Sequence, residues 1–198
     1  NKMNSVKIMA EKGDASVQYN LGIAYYVGEG VAQNYKEAIK WFKLAADQGD
    51  AKAQSSLGAS YIHGKGVTQN YEEAVKWLKL AADQGDLQAQ YNLAKCYYHG
   101  KGVTKDYEEA IKWIKLVADQ GDAWAQYNLG ISYAQGRGVS QSYKEAAKWY
   151  KLAADQGDAE AQSNLGALYA NGQGVAQDYK EAAKWAKLAA QQGDADAQ

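Results

Sequence analysis

The chain is short of the groups that carry most protein chemistry. Its 198 residues include one cysteine, two histidines and no proline, with a formal net charge of -1. A lone Cys96 excludes an intramolecular disulfide and most cysteine-based metal sites. Near-neutral charge argues against a nucleic-acid binder, which needs a basic surface to neutralise phosphates. No run approaches the ~18 apolar residues of a membrane span. Two histidines, His63 and His99, leave little choice for a nucleophile–base–acid set, and none can be assembled, so no enzyme is expected. The chain opens on Asn1 rather than Met and shows no signal peptide, which leaves room for a leader removed before this numbering.

What is abundant is repetition. Gly-Asp recurs at 13-14, 49-50, 85-86, 121-122, 157-158 and 193-194, always 36 residues apart. This predicts one repeat domain over 1–198. Five full repeats run 15–50, 51–86, 87–122, 123–158 and 159–194, with a partial repeat at 1–14 and the start of a sixth at 195–198. The cut ends suggest a segment of a longer array and offer a route to end-to-end self-association.

Each repeat reads as two helices. In the first, Val17, Leu21 and Tyr25 mark one helical face. Asp14, Asp50, Asp86, Asp122 and Asp158 stand where an N-cap is needed. Gly28 suits the left-handed helix end. Asn34 with Glu37 forms a predicted capping box for the second helix, and Gly49 ends it. No strand signal occurs. One helix pair cannot bury its apolar face alone, so the expectation is an all-α chain, an α-solenoid of stacked antiparallel helix pairs.

The repeated string, A-x-A-Q-x-x-L-G-x-x-Y-x-x-G-x-G-V followed by Y-x-E-A-x-K-W-x-K-L-A-A-x-Q-G-D, resembles the Sel-one-like repeat family, relatives of the tetratricopeptide repeats. It departs from the latter in its longer period, its Gly-x-Gly-Val linker and its missing terminal proline. The resemblance implies a right-handed superhelix whose first helices line a concave groove. It also implies a scaffold or adaptor role, often in bacteria, and leans toward a secreted or periplasmic location, with the cytoplasm still open. Some members carry a disulfide in each repeat and bind β-lactams or cell-wall components. This chain lacks such cysteine pairs.

Subtracting the repeat leaves the residues that the fold does not ask for. Trp41, Trp77, Trp113, Trp149 and Trp185 recur once per repeat and read as packing; Trp124 is surplus. Six tyrosines are also surplus, five of them on first helices. The core face uses the third, seventh and eleventh places of a repeat, whereas the second, fifth, ninth and twelfth lie on another face. By the resemblance, that face lines the groove. It carries Tyr19, Ile23 and Tyr26 in the first repeat, Tyr91, Lys95 and Tyr98 in the third, and Trp124, Tyr127 and Ile131 in the fourth. These nine are the candidate ligand-binding residues. Trp124 is expected to be at least half exposed, and the stripes of repeats three and four to adjoin as one patch.

No catalytic residue, metal or cofactor is implied. His63 and His99 share one place in adjacent repeats, with no carboxylate or thiol cluster beside them. Cys96 aligns with Ala24, Ser60, Ser132 and Leu168 and reads as a small packed residue. Lys65, Lys101 and Arg137 make a basic edge, while Lys52 and Lys95 outnumber Glu160 on the candidate face. The favoured partner is therefore a protein or peptide, slightly better acidic or C-terminal than basic. The other reading is a glycan or cell-wall component stacked on the same rings.

Overall fold

The computed structural model describes residues 2–196, and among these there are eleven helices and no strand. The chain forms two compact units, residues 1–105 and 106–198. The first holds α1 (Lys2–Glu11), α2 (Ala15–Val27), α3 (Tyr35–Asp47), α4 (Ala51–His63), α5 (Tyr71–Asp83) and α6 (Leu87–His99). The second holds α7 (Tyr107–Asp119), α8 (Ala123–Gln135), α9 (Tyr143–Asp155), α10 (Ala159–Asn171) and α11 (Tyr179–Asp196). Within each unit every helix packs on the next, giving stacked helix pairs; α4 also touches α6.

The helix ends follow the sequence closely. Each first helix starts on an aspartate whose carboxylate accepts the N–H three residues on, as Asp50 does from Ala53 at 2.7 Å. Gly28 closes α2 at φ 81, a left-handed conformation that costs glycine little. For the second helices only half of the predicted capping box forms. Asn34 Oδ1 accepts from Glu37 N at 3.1 Å, but the Glu37 carboxylate turns outward to Lys40. Glu73 and Glu109 likewise take Lys76 and Lys112 at 2.5 and 2.7 Å. An exposed ammonium one turn away competes successfully with the cap backbone.

Packing inside a repeat depends on a glycine. A Cβ on Gly22 would strike the Phe42 ring, and one on Gly58 would strike Leu78. The first helix therefore closes directly onto a large apolar second-helix side chain, and Phe42, Leu57 and Leu78 are fully buried. A second glycine sets the stacking of one repeat on the next. Gly66 (φ 75) lies against the Tyr35 carbonyl, Gly102 against Tyr71 and Gly138 against Tyr107, leaving no space for a side chain.

A buried amide joins the stack. Gln54 Nε2 donates to Ala46 O of the preceding repeat at 3.2 Å, and its Oε1 accepts from Gln84 Nε2 of its own repeat at 2.8 Å. Gln18, Gln126 and Gln162 are held in the same way, by Ala10 and Gln48, Ala118 and Gln156, and Ala154 and Gln192.

The last helix differs from expectation. α11 runs on through Gly193 to Asp196 instead of ending at the glycine. Elsewhere this turn is held by the next first helix, whose glutamine bonds back to the preceding alanine carbonyl; α11 is the last described element. Of the sixth repeat expected at 195–198, residues 197 and 198 lie outside those described.

Candidate functional site

The nine candidate residues fall at the second, fifth, ninth and twelfth places of α2, α6 and α8. None is fully exposed, and several pack against the second helix of their own repeat. Tyr19 packs its ring 5.9 Å from Phe42, and Tyr26 meets Tyr35 edge-on at 4.9 Å. Tyr127 lies 6.0 Å from Tyr150, and Ile131 packs on the same core cluster. These residues therefore serve the core as well as any ligand.

Two expectations are corrected. Trp124 is only partly exposed, well short of half, so its indole covers protein as well as meeting solvent. Tyr98 is 8% exposed, its ring 5.2 Å from His99 edge-on. At the end of α6 its phenol turns inward rather than onto the open face.

In the first unit the structure gathers Ile23, Tyr26, Tyr91 and Lys95 into two recesses, while Tyr19 lines neither. Ile23 and Tyr26 border a small one of about 150 Å³, floored by Phe42 and closed by Ser56 and Ala59 of α4. Tyr91 and Lys95 border a larger one of about 500 Å³ between α4 and α6. Ile62 and His63 form its α4 wall, while Asn92, His99 and Lys101 complete the side of α6 and its following loop. Its lining contains no aspartate or glutamate. In the second unit Tyr127 borders a hollow with Glu160 and Ser163, where Ala186 of α11 stands in place of Phe42 or Leu78. The Tyr127 hydroxyl, held by burial and by a hydrogen bond to the Glu160 carboxylate, is pushed well above the usual phenol range.

The larger recess is electropositive. Lys95 Nζ stands 5.0 Å from the Tyr91 ring centroid and 3.5 Å from its hydroxyl. Lys101 Nζ stands 5.3 Å from the Tyr71 ring. His99 is held below the ordinary imidazole range, first by burial and then by repulsion from Lys101, Lys95 and Lys105. Cys96 is 3% exposed, and burial pushes its thiol up to about 11, so it is a packed residue and no nucleophile. Among the described residues no group of three or more His, Cys, Asp or Glu side chains could hold a metal ion. None of the described helices is long and apolar enough to cross a membrane.

Sequence reasoning missed what the basic edge does. Lys65 lies 5.6 Å from the Tyr35 ring, Lys101 over Tyr71, and Arg137 5.5 Å from Tyr107. Each cation caps an aromatic of the preceding repeat, a contact worth about 0.5–1 kcal/mol at an exposed site. The signal was present: in all three cases the cation follows its tyrosine at one fixed spacing. Asn92 was missed as lining, since it gains meaning only beside α4, whereas Ile62 lies at the twelfth place of its repeat, on the face expected to line the groove, and His63 next to it.

The family model described as Sel1 repeat matches residues 15–50, 51–86, 87–122, 125–158 and 159–194. Among solved structures, the chain is similar to a protective antigen of uropathogenic Escherichia coli displaying an SLR fold, at 39% identity and a TM-score of 0.86. That match covers 96% of this chain but only 41% of the antigen chain. A Sel1 repeat protein from Oxalobacter formigenes is 37% identical with a TM-score of 0.82, over 91% of this chain and 74% of that one. A Klebsiella pneumoniae Sel1 repeat protein, 23% identical with a TM-score of 0.54 over 96% of this chain and 93% of its own, shares the fold. No curated protein matches.

Proposed function

Because the chain belongs to the Sel1 repeat family, whose members are generally non-catalytic protein–protein interaction scaffolds, we propose that it receives a peptide or helix of a partner protein on the face of its first helices. The observation that supports this reading is the pair of recesses between α2 and α4 and between α4 and α6. Both are bordered by side chains that vary from repeat to repeat. The ninth place alone holds Ile23, Ala59, Lys95, Ile131 and Ala167, so the fold does not dictate it. Tyrosines at such places offer large contact area at low entropic cost.

A polypeptide fits this face better than a sugar. Sugar stacking needs a free ring face, but Tyr26 already meets Tyr35 and Phe42, Tyr127 meets Tyr150, and Lys95 stands over Tyr91. Half-covered rings beside lysine and amide groups suit the mixed apolar and polar contacts of a peptide. The antigen among the similar structures favours a secreted or periplasmic location.

The test is retention of partner protein from source lysate on immobilised chain. Tyr91→Ala and Tyr26→Ala should each lower retention about tenfold or more, as hot-spot tyrosines do. Lys43→Ala, on the exposed side of α3, should leave it unchanged. Equal retention by all three variants would contradict the reading.

A further inference from the structure

We propose that the recess between α4 and α6 is a carboxylate-binding site for an acidic segment of the partner polypeptide, one carrying at least two Asp or Glu side chains. The inference rests on the reading that a partner occupies the first-helix face. Its cations come from separate elements: Lys95 from α6 and Lys101 from the loop after it. His63 at the end of α4 and His99 at the end of α6 add imidazole hydrogen-bonding groups to the lining. The lining itself contains no aspartate or glutamate.

The two ammonium groups stand over tyrosine rings, Lys95 over Tyr91 and Lys101 over Tyr71. A π face positions a cation without neutralising its charge. Burial first, and then repulsion from Lys101, Lys95 and Lys105, lowers the pKa of His99 beside them. Asn92 and Gln88 supply amide donors at the rim. A volume of about 500 Å³ exceeds what one carboxylate needs and accommodates neighbouring side chains.

Lys95 is particular to this place. One repeat earlier Ala59 stands at the equivalent position, although Lys65, the counterpart of Lys101, again lies 5.5 Å from a tyrosine ring, that of Tyr26. The repeat architecture therefore does not require Lys95. Two separate ammonium groups, on α6 and on the loop after it, match several carboxylates along a segment better than the single terminal carboxylate of a chain.

The experiment is anisotropy titration of a fluorescent Glu-rich peptide against the full chain, alongside its Gln counterpart and a C-terminally amidated form. The Glu peptide should bind, the Gln peptide should not, and amidation should make no difference. Lys95→Met and Lys101→Met should each weaken binding about tenfold, while Lys43→Met leaves it unchanged. Lys101 is exposed, so its variant keeps the test valid should Lys95→Met fold poorly. Equal binding of the Gln peptide, or equal affinity of the three lysine variants, would overturn the assignment. Binding abolished by amidation would also overturn it, pointing to a chain terminus. If the Glu peptide fails while Tyr91→Ala still releases the natural partner, the carboxylate assignment falls and the first-helix reading stands.

Discussion

At the residue scale, single side chains decide how much of the candidate face is open. Trp124 replaces the Lys52 and Gln88 of neighbouring repeats, and its indole is partly covered. Trp124→Ala should therefore cost about 1–2 kcal/mol, between a surface change and a core truncation. Urea denaturation checks this, and a loss near zero would favour the at-least-half-exposed reading instead. His99 gives a pH signature. Its folded pKa lies below the unfolded value, so the fold favours the neutral ring. That contribution is present above about pH 6.5 and is lost as pH falls through the folded pKa. Around the ring stand His63 of α4, Lys95 and the buried Cys96 of α6, and Lys101 and Lys105 of the following loop. Melting temperature should fall more steeply on acidification in the wild type than in His99→Gln, and parallel curves would contradict the assignment. The surplus aromatics were legible in the sequence because the repeat supplies its own reference. The inward turn of Tyr98 was not, since its helical place is shared with the partly exposed Tyr26 and the rotamer depends on what packs nearby.

At the element scale, helix ends and helix pairing were legible, while the bonds between repeats were not. Asp50 and Gly64 bracket α4 by chemistry that acts within a few residues. The buried glutamine ladder joins groups far apart in sequence. Gln54 reads as one more polar residue in A-x-A-Q until Ala46 and Gln84 appear on either side of it. Gln54→Leu should leave the Ala46 carbonyl and the Gln84 amide with poorer partners, costing about 1–3 kcal/mol. Gln69→Leu, whose amide bonds in an exposed loop, should cost under about 1 kcal/mol. Equal losses in the two variants by chemical denaturation would remove the ladder as a source of stability. The capping boxes taught the same lesson in reverse. The sequence pattern was right, but Lys40 and Lys76 had the stronger claim on the glutamates.

At the scale of the whole molecule, stability in a stack of repeats is a local sum of each repeat and its neighbours. The sequence showed that Ala183 and Ala186 stand where Ile39 and Phe42 stand in the first repeat. The structure shows the consequence: among the described side chains of α11 only Trp185 is buried. Hydrogen exchange should find α11 the least protected second helix and α5 among the best protected. Equal protection would contradict this. The repeat period made the all-α stack readable from the sequence alone, because one interval specified helices, caps and glycines together. The recess between α4 and α6 was half readable. Tyr91 and Lys95 stood out against the repeat and Ile62 shared their face, but nothing in the sequence showed that α4 and α6 leave an open recess between them.

The central claim is that a partner protein sits on the first-helix face. Site-specific photo-crosslinking tests it most directly, with a photoreactive residue placed at Asn92 or Ile62 in the recess and, for comparison, at Lys43 or Lys76 on the outer side of the second helices. The account predicts that one partner is captured from both recess positions and from neither outer position. Capture from the outer positions alone would contradict it.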